Sequence, residues 1–572
     1  MKKQVLLSVL LALGMMCGAQ APWDGTVAEA YAGGDGTPEN PYQIATAEQL
    51  ALLAFQTNSS PVSDAHYILM NDICLNGSEG LEWPSIGLMP YSFSGVFDGN
   101  GFTISDFLVN DHDIAGFFGN TDNAVIRNVT LTGGAIYDFG LSFSSCTGLL
   151  VGRAINTSII HCSVDGEMDC LSSKLGGLVG YFVASYNSDT VFIKDCVNEA
   201  NLFGYNNVGG IAGFTDANTG ALCIEGCVNR GNITDGSFCG GMVGQGSFYI
   251  RHCENYGMIT STISAGGMVG EGDWNRALLE YCTNRGKGEI VGECAGGIIG
   301  TSRGARMLMC VNEAKITGKS ASMIMVGGLA GSDGSFSNCY NRGSVECFVN
   351  GPSLSVIQMG GITGTPTQGY LYNVYNTGAI VKPYNPNSNN TWYGIIIPGI
   401  LSDTAIRNCY WFGDFDVPPF SFNSGYYTLP GSCAFSEGAT PSSWTLDAAQ
   451  YGTTDLVEAL NLGAMGQCVW VEDENGTNDG FPIFGTPAPH SLNETITAQF
   501  VLYPNPTNGT LFVETQNFAS LPGETYRITN LMGQVLQSGQ IVSDVQQVDV
   551  SALPSGMYFL TFDGTSSKFI IE

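Results

Sequence analysis

The sequence GGLVG at residues 176–180 is one copy of a five-residue block that recurs along most of this 572-residue chain. The block consists of two glycines, an apolar residue, a small or apolar residue and a third glycine. Further copies are GGIAG at 209–213, GGMVG at 240–244 and 266–270, GGIIG at 296–300, GGLAG at 327–331 and GGITG at 360–364. Successive first glycines are 33, 31, 26, 30, 31 and 33 residues apart. A period of this length indicates a repeat protein in which each repeat forms one supersecondary unit.

A second block lies between the glycine blocks and reads apolar-x-x-Cys-x-Asn. Its cysteines are Cys162, Cys196, Cys227, Cys253, Cys282, Cys310, Cys339 and Cys409. Its asparagines, two residues after the cysteine position, are Asn198, Asn229, Asn255, Asn284, Asn312, Asn341 and Asn376, and Val374 replaces cysteine in the copy that ends at Asn376. Each repeat therefore contains short apolar stretches separated by Gly or Asn, and none of them is long enough to form a helix.

Short apolar stretches of this kind bury their side chains when the chain coils and each turn stacks on the one before, with strands ~4.8 Å apart. The repeats therefore predict an all-β fold, a parallel β-helix with about 30 residues per rung. We expect the cysteines to form a buried, mostly reduced ladder, because stacked cysteines point in parallel and are poorly placed for disulfide bonds. We expect the asparagines to form a ladder at a turn, since Asn readily adopts the left-handed backbone conformation.

The N-terminal part of the repeat region carries two further signals. Thr46-Ala47-Glu48-Gln49 reads as a capping box that opens a helix through about Asn58, and residues 93–101 read FSGVFDGNG. Together with the glycine blocks, these sequences resemble the GLUG-repeat proteins of bacterial surfaces over roughly residues 37–411. The resemblance implies a right-handed β-helix whose first rung is closed by the N-terminal helix. Residues 20–411 are accordingly assigned to a β-helix with an N-terminal cap.

The first 19 residues have the order of a secretory signal peptide. Lys2 and Lys3 precede an apolar stretch at residues 5–16, and the small residues Gly18 and Ala19 follow it. We expect cleavage after Ala19. No later apolar run is long enough for a transmembrane helix, so we expect the mature chain to be soluble or attached to a surface.

The repeats stop after Trp411, and three C-terminal segments follow. We expect residues 412–486 to cap the last rung, and residues 487–499, which begin in a proline-rich sequence, to be a linker. Residues 500–572 read as alternating strands and turns. Their distinctive residues are Pro504, Asn505, Pro506, Gly533, Gly556 and Tyr558.

The segment 500–572 resembles the type A sorting domain of the type IX secretion system. The resemblance implies a β-sandwich of about seven strands that interacts with the type IX secretion machinery. It also implies export from a Gram-negative bacterium to the outer-membrane surface or the extracellular space. The body of such a protein is then attached to surface lipopolysaccharide or released.

The composition argues against several classes of function. The chain has 20 Lys and Arg against 51 Asp and Glu, and its net charge of -31 repels phosphate backbones, so we expect no nucleic-acid partner. No His-Glu-x-x-His sequence occurs, and we identify no catalytic residues and no metal site.

The sequence DENGTNDG at 473–480 lacks the sixth-position Gly and the twelfth-position Glu of a calcium loop. We expect no cofactor, and a loosely bound Ca²⁺ at this acidic turn stays open.

One predicted outward row is aromatic. The residue between the cysteine and asparagine positions is Tyr340, Tyr375 and then Tyr410, and Trp411 follows directly. If exposed, these rings form a strip suited to sugars or partner proteins. The alternative is that the segment 412–486 covers them.

A second predicted outward row is charged. Two residues before the cysteine, Lys194, Glu225, Arg251 and Glu280 alternate in sign on consecutive rungs. We interpret them as a solvated charge ladder that avoids stacking like charges.

Three functions remain compatible with the sequence. The leading hypothesis is a non-enzymatic surface scaffold, adhesin-like, that binds host or environmental glycans or proteins. The alternative is a polysaccharide lyase or glycoside hydrolase on a β-helix, which requires clustered carboxylates, often with Ca²⁺, on one outward face. The third is a structural component of a surface layer.

Overall fold

Consecutive repeats pair in parallel from Tyr42 to Trp411, so the chain coils into a β-solenoid, as the repeat spacing predicts. The computed structural model describes residues 23–485 except 61–63, 111–112, 138–144, 186–189, 218–221, 287, 321, 350–355, 366–368, 382–390, 395, 397–404, 412–455 and 465–468, and residues 500–571 except 504–506, 508, 516–524, 530–534, 541–544, 555 and 563–564. The chain divides into two compact units, 1–485 and 486–572, and each is described by itself. The predicted signal peptide 1–19 and linker 487–499 lie outside the described residues.

The solenoid begins at the predicted N-terminal helix, α1, which spans Ala47–Ser59. The Thr46 hydroxyl accepts a hydrogen bond from the Gln49 backbone N–H, and the Gln49 side chain accepts one from the backbone of Ala45. These two bonds satisfy donors that have no partner within the helix, which is the purpose of a capping box. Leu50 and Leu53 of α1 are fully buried in the core of the first rungs. No helix within the described ranges is both long and apolar enough to span a bilayer.

Strands of successive rungs stack in five columns, numbered here in the order in which one rung passes through them. Column 1 is a ten-stranded sheet. Each of its strands ends at a glycine, except Ile114–Ala115. Its strands are Ile114–Ala115, Cys146–Gly148, Lys174–Gly176, Asn207–Gly209, Phe238–Gly240, Ser264–Gly266, Cys294–Gly296, Met323–Gly327, Val356–Gly360 and Thr391–Gly394. Column 2 follows the glycine block and consists of Phe118–Asp122, Val151–Ile155, Val179–Val183, Ala212–Asp216, the first parts of Val243–Arg251 and Val269–Glu280, Ile299–Ser302 and Ala330–Ser332.

Columns 3, 4 and 5 complete each rung. Column 3 consists of Tyr42–Ile44, His66–Leu69, Val96–Asp98, Val125–Arg127, Ser158–Ile160, Val191–Lys194, Leu222–Glu225, the second parts of Val243–Arg251 and Val269–Glu280, Arg306–Leu308, Ser335–Ser337, Tyr370–Asn376 and Ala405–Trp411. Column 4 consists of Ile73–Cys74, Thr103–Ser105, the first parts of Thr130–Ile136 and Ser163–Asp169, Val197–Asn198, Val228–Asn229, Glu254–Asn255, Thr283–Asn284, Val311–Asn312 and Tyr340–Asn341, which pairs with the end of Tyr370–Asn376. Column 5 consists of Leu108–Val109, the second parts of Thr130–Ile136 and Ser163–Asp169, Asn201–Phe203, Ile233–Thr234, Ile259–Thr260, Glu289–Gly292, Lys315–Ser320 and Val345–Val349.

The three glycines of each block are required by close packing at the corner between columns 1 and 2. A Cβ atom on Gly209 would lie 1.9 Å from the Ala212 carbonyl oxygen. A Cβ on Gly210 would lie 2.5 Å from the side-chain oxygen of Asn229. A Cβ on Gly213 would lie 2.5 Å from the backbone nitrogen of Leu175, on the preceding rung. The repeated Gly-Gly-x-x-Gly pattern therefore reflects missing space for a side chain, and it couples the glycine block to the asparagine block.

The turn between columns 3 and 4 lies one residue before each cysteine. The backbone there has a positive φ of 51° to 64°, at His161, Asp195, Gly226, His252, Tyr281, Met309, Asn338, Asn373 and Asn408. The expectation that the ladder asparagines occupy the left-handed turn is therefore wrong. A single left-handed residue suffices for this turn, and the position is occupied by Asn, Asp, Gly, His, Tyr or Met on different rungs.

The second unit is an antiparallel β-sandwich with seven strands among its described residues. One sheet consists of Phe500–Tyr503, Thr510–Thr515 and Val545–Asp549; the other consists of Val535–Gln540, Thr525–Thr529, Gly556–Phe562 and Thr565–Ile571. Leu511, Ile528 and Phe569 are fully buried in its core. Gly556 begins a strand, and the Tyr558 hydroxyl donates a 2.6 Å hydrogen bond to the Pro554 carbonyl. Pro504, Asn505, Pro506 and Gly533 lie outside the described residues.

Candidate ligand-binding groove

The seven ladder asparagines are completely buried and form a continuous chain of side-chain amides. Each amide nitrogen donates to the amide oxygen of the next rung over 2.7–2.9 Å, along the series Asn198, Asn229, Asn255, Asn284, Asn312, Asn341 and Asn376. In Asn255 the same nitrogen also donates to the Gly257 carbonyl, and the oxygen accepts from the Gly257 N–H. The ladder therefore satisfies both donors and acceptors inside the core, and its role is to hold the rungs in register.

The eight ladder cysteines are buried free thiols on the inner side of the turn between columns 3 and 4. The thiol of Cys196 is an example. It lies 3.2 Å from the Lys194 carbonyl on its own rung and 3.7 Å from the Ile159 carbonyl on the preceding rung. Burial raises the pKa of Cys196, Cys253 and Cys310 well above the usual value, so these thiols stay protonated. The cysteines fill space and donate weak hydrogen bonds to carbonyls at the turn.

Of the two alternatives for the tyrosine row, the structure has the second, in which a later segment of the chain covers the rings. Tyr340, Tyr375 and Tyr410 do point away from the solenoid, and Tyr340 and Tyr375 stack with ring centroids 4.8 Å apart. Their exposed fractions are only 5%, 0% and 1%, and Trp411 on the inner side is 4% exposed.

The covering structure consists of helix α2, Leu456–Gly463, and a hairpin of Trp470–Val471 with Ile483–Phe484. Trp470 contacts Tyr340 and Tyr375 with ring centroids 6.1 and 5.7 Å apart. The cap therefore lies against the side of the last rungs, where burying large apolar rings stabilises it.

The charged row on column 3 stacks opposite charges on consecutive rungs, as expected, but its side chains are half-buried rather than solvated. Glu225 lies between Lys194 at 3.4 Å and Arg251 at 2.7 Å. On the next rung, the Tyr249 hydroxyl donates a 2.5 Å hydrogen bond to Glu280. Burial raises the pKa of Glu280 even though Tyr249 and Arg251 act to lower it. The carboxyl groups of Glu225 and Glu280 therefore bind other side chains of the solenoid.

In the acidic turn at 473–480, the carboxylate of Asp473 accepts hydrogen bonds from within the turn. One oxygen of Asp473 accepts hydrogen bonds from the Thr477 N–H and hydroxyl, and the other accepts from the N–H groups of Asn478 and Gly480. These bonds hold the pKa of Asp473 below its usual value. In the described part of the chain, no three His, Cys, Asp or Glu side chains lie together in a way that could hold a metal ion.

The outward side chains of columns 1 and 2 meet along the glycine corner. The Ser264 hydroxyl of column 1 lies 3.0 Å from the Thr301 hydroxyl of column 2. The Lys174 ammonium of column 1 lies 5.3 Å from the ring centroid of Tyr181 in column 2. Column 1 side chains deepest in the corner, such as Cys146 and Ser264, are buried. We call this the corner groove and define it by Arg153, Lys174, Tyr181, Phe214, Gln245, Glu271 and Thr301.

One end of the corner groove is aromatic and basic. Tyr181 and Phe214 pair on adjacent rungs and make an edge-to-face contact with centroids 5.6 Å apart. Arg153, on the preceding rung, places its guanidinium 5.9 Å from the centroid of the Tyr181 ring. Both rings are partly exposed. Burial raises the pKa of Tyr181 to about 12, so its hydroxyl stays protonated and lies 3.3 Å from Asp216.

The other end of the corner groove is polar. The Gln245 amide donates a 2.9 Å hydrogen bond to Glu271 on the next rung. Burial raises the pKa of Glu271, and Asp273 raises it further while Arg303 lowers it. The groove thus presents aromatic rings, cations, an amide, a carboxyl group and a hydroxyl group along consecutive rungs, a mixture typical of ligand-binding surfaces.

The groove position is marked in the sequence by its place in the repeat and not by a repeated residue type. The column 2 residue of the groove always follows the last glycine of the block directly, including the degenerate copy GLLVG at 148–152: Arg153, Tyr181, Phe214, Gln245, Glu271 and Thr301. No residue type is shared among them, so a search for repeated residues misses the position.

A parallel β-solenoid followed by a β-sandwich defines a repeat protein with a second, non-repetitive domain. Comparison with known families agrees on both parts. Residues 501–572 match the family described as "Secretion system C-terminal sorting domain", and residues 143–167 match "The GLUG motif". The chain is therefore a GLUG-motif β-solenoid that carries a type IX secretion sorting domain. The sorting domain indicates interaction with the type IX machinery and export to the cell surface or the extracellular space.

Similar proteins match only parts of the chain. They include Halomucin of Haloquadratum walsbyi, 31% identical over 169 residues, and a "Putative Gly-rich membrane protein" of Evansella cellulosilytica, 37% identical over 109 residues. Beta-agarase A of Zobellia galactanivorans is 33% identical over 82 residues. The matches cover 27%, 18% and 14% of this chain but only 2%, 12% and 15% of those proteins.

One solved structure is also similar, a "putative immunoglobulin A1 protease" from Bacteroides ovatus. The comparison covers 80% of this chain and 96% of that one, at 18% identity and a TM-score of 0.30. Agreement at this level supports no statement about activity.

Proposed function

We propose that this protein is a non-enzymatic, adhesin-like surface scaffold that binds extracellular polysaccharide in the corner groove. The observation that carries the proposal is the partly exposed pair Tyr181 and Phe214, flanked by hydrogen-bonding side chains on the neighbouring rungs. The edge-to-face geometry leaves ring surface available at the groove wall.

The geometry suits a linear polymer for two reasons. A sugar ring has an apolar C–H face that packs on an aromatic ring and a rim of hydroxyl groups that need hydrogen-bond partners. The groove repeats its wall every rung, at ~4.8 Å, so an extended chain meets one new set of side chains per rung. Gln245 and Thr301 supply amide and hydroxyl groups on the rungs beyond the rings.

The test is retention of the purified protein on immobilised polysaccharides of bacterial, host and plant origin, with Tyr181→Ala and Phe214→Ala as variants. We expect retention that each variant weakens about tenfold, the effect of losing one aromatic contact of ~1–2 kcal/mol. Phe348→Ala is the matched control, because Phe348 is 54% exposed on column 5 and lies outside the groove. Retention that is equally weakened by Phe348→Ala would contradict the assignment of the groove.

A second candidate is cleavage of the bound polysaccharide, and Glu271 is the observation that favours it. A carboxyl group with a raised pKa is suited to act as a general acid, and Asp273 and the Arg303 guanidinium both influence it. The test measures new reducing ends and unsaturated uronates after incubation with and without Ca²⁺. Cleavage that disappears in Glu271→Gln would replace the scaffold proposal with an enzymatic one.

A further inference from the structure

The basic end of the corner groove contains an arginine that differs from most others in the solenoid. Arg127, Arg230, Arg251 and Arg285 each form an ion pair with a carboxylate of a neighbouring rung. Arg153 forms no ion pair within 4 Å among the described residues. Its buried Nε has no hydrogen-bond partner, as is also the case for the Nε atoms of Arg251 and Arg285, whose outer nitrogens are ion-paired. An arginine beside an aromatic ring that is not ion-paired with a carboxylate can bind an anion from outside the protein.

The surroundings of Arg153 contain a second cation, a neutral thiol and two carboxyl groups. Lys174 lies on the other wall of the groove and approaches the same Tyr181 ring, so two cations flank one ring. The Cys146 thiol adjoins both cations, and burial raises its pKa to about 11, so it stays neutral and does not cancel them. Two carboxyl groups also lie at this end of the groove: Asp122, whose pKa is raised by burial and lowered by Arg153, and Asp216, which accepts a hydrogen bond from the Tyr181 hydroxyl.

The net charge of -31 does not oppose a local anion site at physiological salt. Charges farther away than a Debye length of ~8 Å are largely screened. The groups within that range decide whether an anion binds. At this end of the groove they are the cations Arg153 and Lys174 around the Tyr181 ring, together with the carboxyl groups of Asp122 and Asp216.

We propose that the corner groove selects anionic polysaccharides, with Arg153 and Lys174 binding a carboxylate or sulfate group of a sugar that packs on Tyr181. The inference rests on the proposed function, because it assigns the ligand class of the same groove. The planar guanidinium of Arg153 can donate two parallel hydrogen bonds to either kind of anion.

The experiment compares binding of the full protein to matched probes by affinity electrophoresis. Polygalacturonate and its fully methyl-esterified form share a backbone and differ in charge, and carrageenan and agarose are the corresponding sulfated and neutral galactans. We expect tighter binding to at least one anionic probe than to its neutral counterpart. We expect Arg153→Gln and Lys174→Gln each to weaken that binding about tenfold or more, the effect of losing one charge-assisted hydrogen bond. Which anionic probe is retained distinguishes carboxylate from sulfate.

The matched control is Arg230→Gln, which removes an arginine that pairs with Glu199 outside the groove. Unfolding midpoints of all variants confirm that they are folded. Equal binding of charged and neutral probes, unaffected by Arg153→Gln, would overturn the anion assignment and leave polysaccharide binding intact. No retention on any probe would overturn both proposals. Weakening by Arg230→Gln equal to that by Arg153→Gln would also overturn the assignment, because it would reflect overall charge.

Discussion

Replacement of Asn255 by alanine tests whether the buried amide ladder determines the stability of the solenoid. Asn255 lies in the middle of the ladder and is completely buried. Its side chain donates to Asn284 over 2.9 Å and to the Gly257 carbonyl over 3.1 Å. It accepts from Asn229 over 2.7 Å and from the Gly257 N–H over 3.3 Å. Alanine removes all four bonds at once and leaves their partners buried.

The expected loss in the free energy of unfolding follows from these four hydrogen bonds. Each buried hydrogen bond contributes about 1 kcal/mol net, and a partner left without a bond costs about 1–3 kcal/mol. Four bonds, with some relaxation of the partners, therefore give a destabilisation of about 3–5 kcal/mol, at the upper end for a single substitution. Because each rung of a solenoid interacts only with its neighbours, the loss should also uncouple the rungs on either side of Asn255.

The assay is urea unfolding of the full protein followed by far-UV circular dichroism. We expect a lower midpoint and a broader or divided transition for Asn255→Ala. Asn255→Asp keeps the shape of the side chain and replaces a donor by an acceptor. It should therefore be at least as destabilising at pH 7 and less so at pH 4, where the carboxyl group gains a proton. The control is Asn232→Ala, because Asn232 is exposed and its side chain accepts a solvent-exposed hydrogen bond from the Met258 N–H, so its loss leaves a donor that water can reach.

A loss below ~1 kcal/mol for Asn255→Ala, comparable with that of Asn232→Ala, would refute the reasoning. It would mean that water or a shifted backbone replaces the amide and that the ladder does not set the register.

Three further predictions concern other parts of the solenoid. Gly210→Ala should destabilise the protein by about 1–3 kcal/mol in the same unfolding assay, because its Cβ would lie 2.5 Å from the Asn229 side chain. Glu280→Gln should become more stable relative to the natural protein as the pH rises from 4.5 to 8, measured by unfolding at each pH. The raised pKa of Glu280 means that the neutral form stabilises the fold at low pH, and this contribution is lost as the carboxyl ionises. Trp470→Ala should loosen the cap by about 3–5 kcal/mol and expose Tyr375, measured by second-derivative ultraviolet absorption of tyrosine.

Each of these predictions has an outcome that would contradict it. Wild-type stability in Gly210→Ala would show that the corner between columns 1 and 2 can widen. A stability difference that stays constant with pH would show that Glu280 does not change its protonation on folding. Unchanged tyrosine absorption in Trp470→Ala would show that the cap is held by other contacts.

The stacking of repeats could be predicted from the sequence because stacked positions carry identical residues. A ladder of one residue type is visible in the chain itself, as for Cys196 and Asn198 and their equivalents. The position of the left-handed turn could not be predicted, because the residues at this position differ from rung to rung. The turn residue is His161 on one rung, Asp195 on the next and Gly226 after that, so no shared residue type marks it.

The sequence predicts a cap within residues 412–486, but it leaves two alternatives for the tyrosine row, because the contacts of the cap join distant parts of the chain. Asn478 donates a 2.8 Å hydrogen bond to the Tyr375 hydroxyl, 103 residues earlier. The corner groove was missed because its members differ in chemistry on every rung. They converge only because the glycine block folds columns 1 and 2 back on each other, which the packing around Gly213 shows.

The connection between columns 2 and 3 varies in length while the ladders on either side keep their register. The chain runs from Val183 to Val191 on one rung and from Asp216 to Leu222 on the next, whereas Val243–Arg251 continues from column 2 into column 3 as a single strand. Ile193, Ile224 and Ile250 nevertheless stay aligned. This edge therefore tolerates insertion, and peptides introduced at equivalent positions on several rungs would be displayed in a row ~4.8 Å apart. The protein could thus serve as a cell-surface display frame with a fixed, repeating spacing.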